Sequence, residues 1–199
     1  MSVLLSAQVG IDEFLEQELA SEERHEYYNG KITLIAYASD NHELIVANIV
    51  GELRNYFKDK PYRVYPSNRM LYIPTTERFY YADAMVVKGK PEFLDYKKKM
   101  KATLNPCTII EVLSESTEGK DRGEKWQGYR TIPSLQEYVL IAQDQVYVEV
   151  FRKMENEGQE ELWLNEYHNQ LDKSVEIAEQ TILLSEIYRD VDFSFSEEK

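Results

Sequence analysis

Two carboxylates interrupt otherwise apolar runs of this chain. Glu111 lies in Cys107-Thr-Ile-Ile-Glu-Val-Leu113, and Asp83 in Tyr80-Tyr-Ala-Asp-Ala-Met-Val-Val87. Strand alternation puts Ile109, Glu111 and Leu113 on one face and Thr108, Ile110 and Val112 on the other. By the same rule Asp83, Met85 and Val87 share a face. A carboxylate in a buried strand is costly unless it is paired, protonated or bound to metal. If the two strands are neighbours, the two acids converge on a hard cation. Magnesium suits such a site, since it takes oxygen ligands, water and substrate phosphate. A cation held there would generate hydroxide and stabilise negative charge in phosphodiester hydrolysis. Lys125 follows closely on the Glu111 strand and is the candidate to orient the attacking water or stabilise charge on phosphate. Each residue has a plainer reading beside this one. Glu111 could pair with an arginine at a sheet edge, Asp83 could sit satisfied at a strand bend, and Lys125 could be a solvated helix lysine.

The elements that must position these residues follow from periodicity. Ile11, Phe14, Leu15 and Leu19 recur at helical spacing, which predicts a helix over Ile11–Glu22. Asn29-Gly30 marks a tight turn between extended stretches Glu26–Tyr28 and Lys31–Tyr37. Asn41 is the expected cap of a second helix, with Leu44, Ile45, Ile49, Leu53 and Phe57 on one face, running to about Lys58. Extended segments follow at Tyr62–Tyr65, Met70–Ile73 and Tyr80–Lys88. A lysine-rich connection then leads to Thr108–Leu113, whose continuous apolar character suits a central strand. Glu118–Arg130 reads as a helix and Pro133 ends it. Strands are expected at Glu137–Ala142, Gln145–Arg152 and Glu161–Tyr167, with a final helical turn near Leu184–Tyr188. This order predicts an α/β domain, a mixed sheet with helices on its faces.

Composition sets outer bounds. The 199 residues suit a single domain, and 43% hydrophobic with 12% aromatic content, including 15 tyrosines, fills a core. Cys107 is the one cysteine, so no internal disulfide or zinc cluster forms, and a reducing compartment is expected. Met1–Val9 lacks the basic start of a signal peptide. No apolar run approaches the roughly 20 residues that span a bilayer. A soluble, cytoplasmic protein without membrane partners is the expectation, with disorder confined to the first residues and the acidic Ser194–Lys199 tail. The net charge of −13 weighs against a nucleic-acid partner. An acidic whole can still carry a basic groove, and a bound metal adds local positive charge.

Taken as a set, four stretches carry a resemblance. They are Tyr80–Val87, Asn105-Pro-Cys-Thr-Ile-Ile-Glu-Val-Leu-Ser-Glu-Ser-Thr117, Asp121-Arg-Gly-Glu-Lys-Trp-Gln-Gly-Tyr-Arg130 and Ile132-Pro-Ser-Leu-Gln-Glu-Tyr-Val-Leu140. Together they resemble the Uma-type restriction endonuclease family, long called a domain of unknown function, within the PD-(D/E)xK nuclease superfamily. His25-Glu-Tyr-Tyr-Asn-Gly30 and Asn41-His42 with Ile45 and Asn48 resemble that family's opening, so the likeness covers about residues 10 to 190. It implies a restriction-endonuclease-like core with a magnesium or manganese site, acting on nucleic acid, DNA first, and working as a homodimer. Asp83 and Glu111 match the family's metal-binding acids.

Two positions depart from the superfamily pattern. Ala82 stands where a proline usually precedes the aspartate, and Leu113 where a lysine usually follows the second acid. Uma-type sequences share the second departure and keep a lysine in the next helix, here Lys125. Glu26 matches a further family acid and is a candidate fourth member of the catalytic set, with a surface hairpin acid as its plainer reading. His42 matches a recurrent histidine that could donate to phosphate. Arg122 could also contact phosphate, against simple pairing with Glu118 or Glu124. Lys98 sits in the most basic segment, Lys97–Lys101, a candidate backbone-binding loop. A non-catalytic binding module on the same fold is the alternative, favoured by the acidic charge, Ala82 and the displaced lysine.

Overall fold

The computed structural model describes residues 8–154 and 161–194. Most of Met1–Val9 and of the acidic tail after Ser194 therefore lie outside the described residues. The chain builds two six-stranded sheets and a small hairpin. In the first sheet the order is β2 (Lys31–Leu34), β1 (His25–Tyr28), β5 (Arg78–Tyr81), β4 (Met70–Ile73), β8 (Met100–Thr103) and β7 (Phe93–Tyr96). In the second it is β12 (Leu162–His168), β11 (Val148–Met154), β10 (Glu137–Ala142), β9 (Thr108–Leu113), β6 (Ala84–Lys88) and β3 (Tyr62–Pro66). Each sheet is mixed, with β9 parallel to β10 in the second and β4 parallel to β8 in the first. The mixed sheet with flanking helices is thus present, but doubled.

The doubling comes from the run read as one strand, Tyr80–Lys88. It is two strands in different sheets, with Ala82 and Asp83 between β5 and β6. Every residue of this run but Tyr81, Asp83 and Lys88 is buried, and the one charged interruption inside it, Asp83, sits at the bend where the backbone turns, as its plainer reading had it. The lysine-rich connection is also structured: β7 and β8 form a hairpin around Lys97–Lys99. Asn29 and Gly30 both take positive φ, 49° and 77°, as the tight turn between β1 and β2 demands.

Helix α1 (Ile11–Ala20) buries Phe14 and Leu15 on one face of the first sheet, against Tyr27, Met70 and Phe79. Helix α2 (Asp40–Tyr56) lays Ile45, Ile49 and Leu53 on the second sheet, against Val86, Ile110 and Val139. The same face takes the hairpin of β13 (Ser174–Ile177) and β14 (Gln180–Leu183) and the turn α5 (Leu184–Ile187), of which periodicity indicated only the last. Helix α2 is capped by Ser39, not Asn41. The Ser39 hydroxyl accepts from the His42 amide at 3.2 Å, while the Asn41 amide donates to the Gln143 and Asp192 carbonyls. A third core lies between the sheets, where Leu71, Ile73 and Tyr80 of the first meet Met85, Ile109, Tyr138 and Leu140 of the second. The helical segment Glu118–Tyr129 joins this core through Tyr129. It is α3 (Glu118–Lys120), a π-turn (Asp121–Lys125) and α4 (Trp126–Tyr129). Among the described residues no helix is long and apolar enough to cross a membrane.

Candidate active site

Asp83 sits where the chain leaves one sheet for the other. The β6–β9 ladder runs as far as Ala84 opposite Ile110, and beyond it the Asp83 carboxylate takes over. Its Oδ2 accepts the Val112 amide at 2.7 Å and lies 3.1 Å from His42 Nε2. Glu111 is buried in the central strand β9, opposite Leu140 of β10. Its Oε2 faces the Asp83 amide at 3.4 Å, so the two acids are neighbours, as strand pairing required. Glu111 Oε1 accepts from the Tyr129 hydroxyl at 2.6 Å and from Lys125 Nζ at 3.0 Å. A sheet-edge arginine partner for Glu111 is therefore ruled out.

The helical segment supplies the cation at the centre. Lys125 is only 7% exposed, and its ammonium lies 3.1 Å from Asp121 Oδ1 and 3.3 Å from Glu26 Oε1 besides Glu111. Asp121, Lys125 and Tyr129 follow one another at four-residue spacing, so one side of the segment points three polar groups at Glu111. The π-turn tunes that aim: the Trp126 amide bonds the Asp121 carbonyl, which also accepts from the Tyr138 hydroxyl at 3.0 Å. Such turns widen a helix locally and recur at functional sites. Glu26 reaches the cluster from strand β1, and is also bonded by Lys120.

The electrostatics follow from burial and crowding. Burial pushes the Glu111 carboxyl well above the usual range; Lys125 pulls it down, and Asp121 and Asp83 push it up again. Asp121 is likewise raised, by burial first, against the pull of Lys125. Burial alone would lower Lys125, but Glu111, Tyr129, Glu26 and Asp121 together hold it well above its usual value, so it remains an ammonium. His42 is raised too: burial acts downward, and the Asp83 hydrogen bond and charge outweigh it with help from Glu43 and Asp121. Four carboxylates, Glu26, Asp83, Glu111 and Asp121, thus face two ammonium groups, Lys120 and Lys125. The acids outnumber the ammonium groups, and every donor they offer is a hard oxygen suited to magnesium or manganese. Among the described residues no three His, Cys, Asp or Glu side chains stand assembled around one cation position. The Lys125 ammonium fills the place where three carboxylates meet. What the acids offer a divalent ion is therefore two carboxylates, Asp83 and Glu111, with water and substrate oxygens needed for the remaining positions.

Two candidates fall outside this centre. Arg122 is bonded to Glu118 at 2.7 Å and to Glu149 of β11, which leaves its guanidinium engaged with acids. Lys98 is exposed in the β7–β8 turn, at the edge of the first sheet opposite β2. Asp121, Lys120 and Tyr129 were not among the sequence candidates, although the spacing Asp121–Lys125–Tyr129 is the signal that would have found two of them.

Comparison with known proteins bears on the family and the fold. The Uma2 family model, described as "Putative restriction endonuclease", matches residues 11–182. The uncharacterized protein sll1609 of Synechocystis sp. is 39% identical over 142 residues, covering 71% of this chain and 79% of that protein. A second Synechocystis protein, slr1290, also uncharacterized, is 29% identical over 71% of this chain and 73% of its own. A solved structure from Anabaena variabilis, a putative nuclease belonging to DUF820, superposes with a TM-score of 0.68. It covers 89% of this chain and 96% of its own at 19% identity, a likeness of fold.

Proposed function

The chain belongs to the Uma2 family, and from that membership and the acid–lysine centre we propose that it hydrolyses phosphodiester bonds in nucleic acid, DNA first, with magnesium or manganese. The observation that carries this reading is the Lys125 ammonium 3.0 Å from Glu111 Oε1, with Asp83 beside the same carboxylate. A lysine displaced to the next helix thus reaches the acid pair. Asp83 and Glu111 would hold the ion. When bound, it supplies Lewis acidity and lowers the pKa of a water molecule. Lys125, fixed as an ammonium, is a donor to a phosphate oxygen and not a base. Tyr129 orients Glu111, and His42 orients Asp83. Glu26 and Asp121 hold Lys125 in place. A twofold dimer would carry two such centres. Cys107 is a free thiol, which suits the reducing cytoplasm.

The test is incubation of the protein with plasmid, single-stranded DNA and RNA in manganese, beside Glu111→Gln and an EDTA control. Cleavage by the wild type alone, stopped by EDTA, is the expected result. Cleavage that survives in Glu111→Gln would remove the assignment. The absence of an assembled three-ligand cluster among the described residues favours a second reading, a non-catalytic binding module. Unmeasurable manganese binding by the wild type would decide for it.

A further inference from the structure

The acid–lysine centre does not end at Glu26. In the β1–β2 hairpin Glu26 pairs with Thr33 and Tyr28 with Lys31, so these four side chains share one face. Glu26 is the buried end of that row and Lys31 the exposed end. A cavity of about 150 Å³ runs along it, from Glu26 and Lys120 past Tyr28 to Lys31 and Thr33. Tyr28 is held rigidly: the Arg78 guanidinium lies 3.9 Å from its ring centroid, and Arg78 is itself bonded to the Glu124 carbonyl. Lys31 has no ion-pair partner among the described residues, whereas Lys120 is shared with Glu26. An oriented aromatic ring, a hydroxyl and an unpaired ammonium therefore line a recess whose inner end is Glu26, the acid that also touches Lys125.

We infer that this hairpin face binds the strand leading to the scissile phosphate, and that the strand is unpaired. A base stacks on Tyr28, and Lys31 and Lys120 take the neighbouring phosphate. This rests on the hydrolase reading for its direction, since the recess ends at Glu26 and Lys120. Three observations favour a single strand over a duplex. Stacking on a side chain needs a base released from its own stack, which single strands offer without an unpairing cost. A recess of 150 Å³ is of the size of a single base, whereas a duplex presents grooves and backbones more than ten ångströms across, about 12 Å for the major groove alone. Duplex binding also draws affinity from many neutralised phosphates. A chain of net charge −13 with two lysines on this face is poorly equipped for that.

The test measures binding in EDTA by fluorescence anisotropy, with one labelled sequence as single-stranded DNA, as single-stranded RNA and as duplex DNA. The proteins are the wild type, Tyr28→Ala, Tyr28→Phe and Lys31→Ala, each checked by thermal unfolding. Either single strand should bind more tightly than the duplex. Tyr28→Ala should weaken single-strand binding about five-fold or more, and Tyr28→Phe should keep it. Lys31→Ala should flatten the salt dependence by about 0.7 in log–log slope, one phosphate's worth on a single strand. Duplex binding as tight as single-strand binding overturns the inference, as does wild-type affinity in both Tyr28→Ala and Lys31→Ala. A preference between DNA and RNA would identify the sugar within the supported class. The two readings fail separately. Stacking-dependent binding without manganese cleavage removes only the hydrolase, and cleavage with unaltered hairpin variants removes only the subsite.

Discussion

Replacing Lys125 by methionine should destabilise the metal-free protein far more than loss of a surface lysine does. Methionine keeps an unbranched apolar stem and deletes the ammonium, with its charge and its three N–H donors. The ammonium has carboxylate oxygens at 3.0, 3.1 and 3.3 Å and is 7% exposed. Each contact is worth about 5 kcal/mol of gross attraction at an effective dielectric near 20. Burial of the ammonium offsets most of that. The cost of removal comes instead from the acids left behind, and for one partner of a buried pair it is about 3–5 kcal/mol. For a chain of this size each kcal/mol moves the melting temperature by about 2–4 °C, so a fall of roughly 6–20 °C is expected in EDTA. Circular dichroism melts read it directly. Adding Glu111→Gln should recover part of the loss, because one of the stranded charges is gone and the two changes share a contact. Manganese should recover part as well, by binding the folded state alone. A fall equivalent to less than about 0.5 kcal/mol, typical of an exposed position, would refute the picture of a lysine holding the acids together.

Three further outcomes follow from the structure. Metal binding needs an ionised Glu111, whose carboxyl is raised by burial, so manganese affinity measured by calorimetry should climb with pH through a midpoint above the usual 4.5. The same raised value means that folded Glu111 holds its proton more tightly than the unfolded chain does. Its contribution to metal-free stability is full below the unfolded value and is lost as pH rises through the folded one. Wild type should therefore lose stability relative to Glu111→Gln across that window, and parallel melting curves would contradict the assignment. Gly128 packs its helix against Arg78 and Ile73, where an added Cβ would meet Arg78 Nη1 at 3.0 Å and Ile73 Cδ1 at 3.2 Å. Arg78 would have to give up its place against Tyr28 and the Glu124 carbonyl to make room, so Gly128→Val should cost about 1–3 kcal/mol in urea unfolding.

Local pattern was enough for much of this protein. Continuous apolar runs marked β9 and β10 at their observed ends, because strands buried on both faces carry no polar residues except those with a task. Glu111 stood out for that reason, and the alternation around it matched the two cores on either side of β9. The Asn29-Gly30 turn was equally plain, since both residues must take positive φ there. What the sequence alone could not determine was which strands lie side by side. Asp83 marks the bend after Ala82, but nothing local says that β5 and β6 part there into different sheets, because the strands on both sides are apolar in either case. Glu26 sits far from Glu111 along the chain, and only the pairing of β1 with β5 brings it to Lys125. Arg122 and Lys125 have the same charge and share one helical segment, yet a small rotation around its axis gives one to Glu118 and Glu149 and the other to the acid centre. Charge and spacing are local properties of a chain, whereas the partner of each charge is decided by packing across the whole molecule.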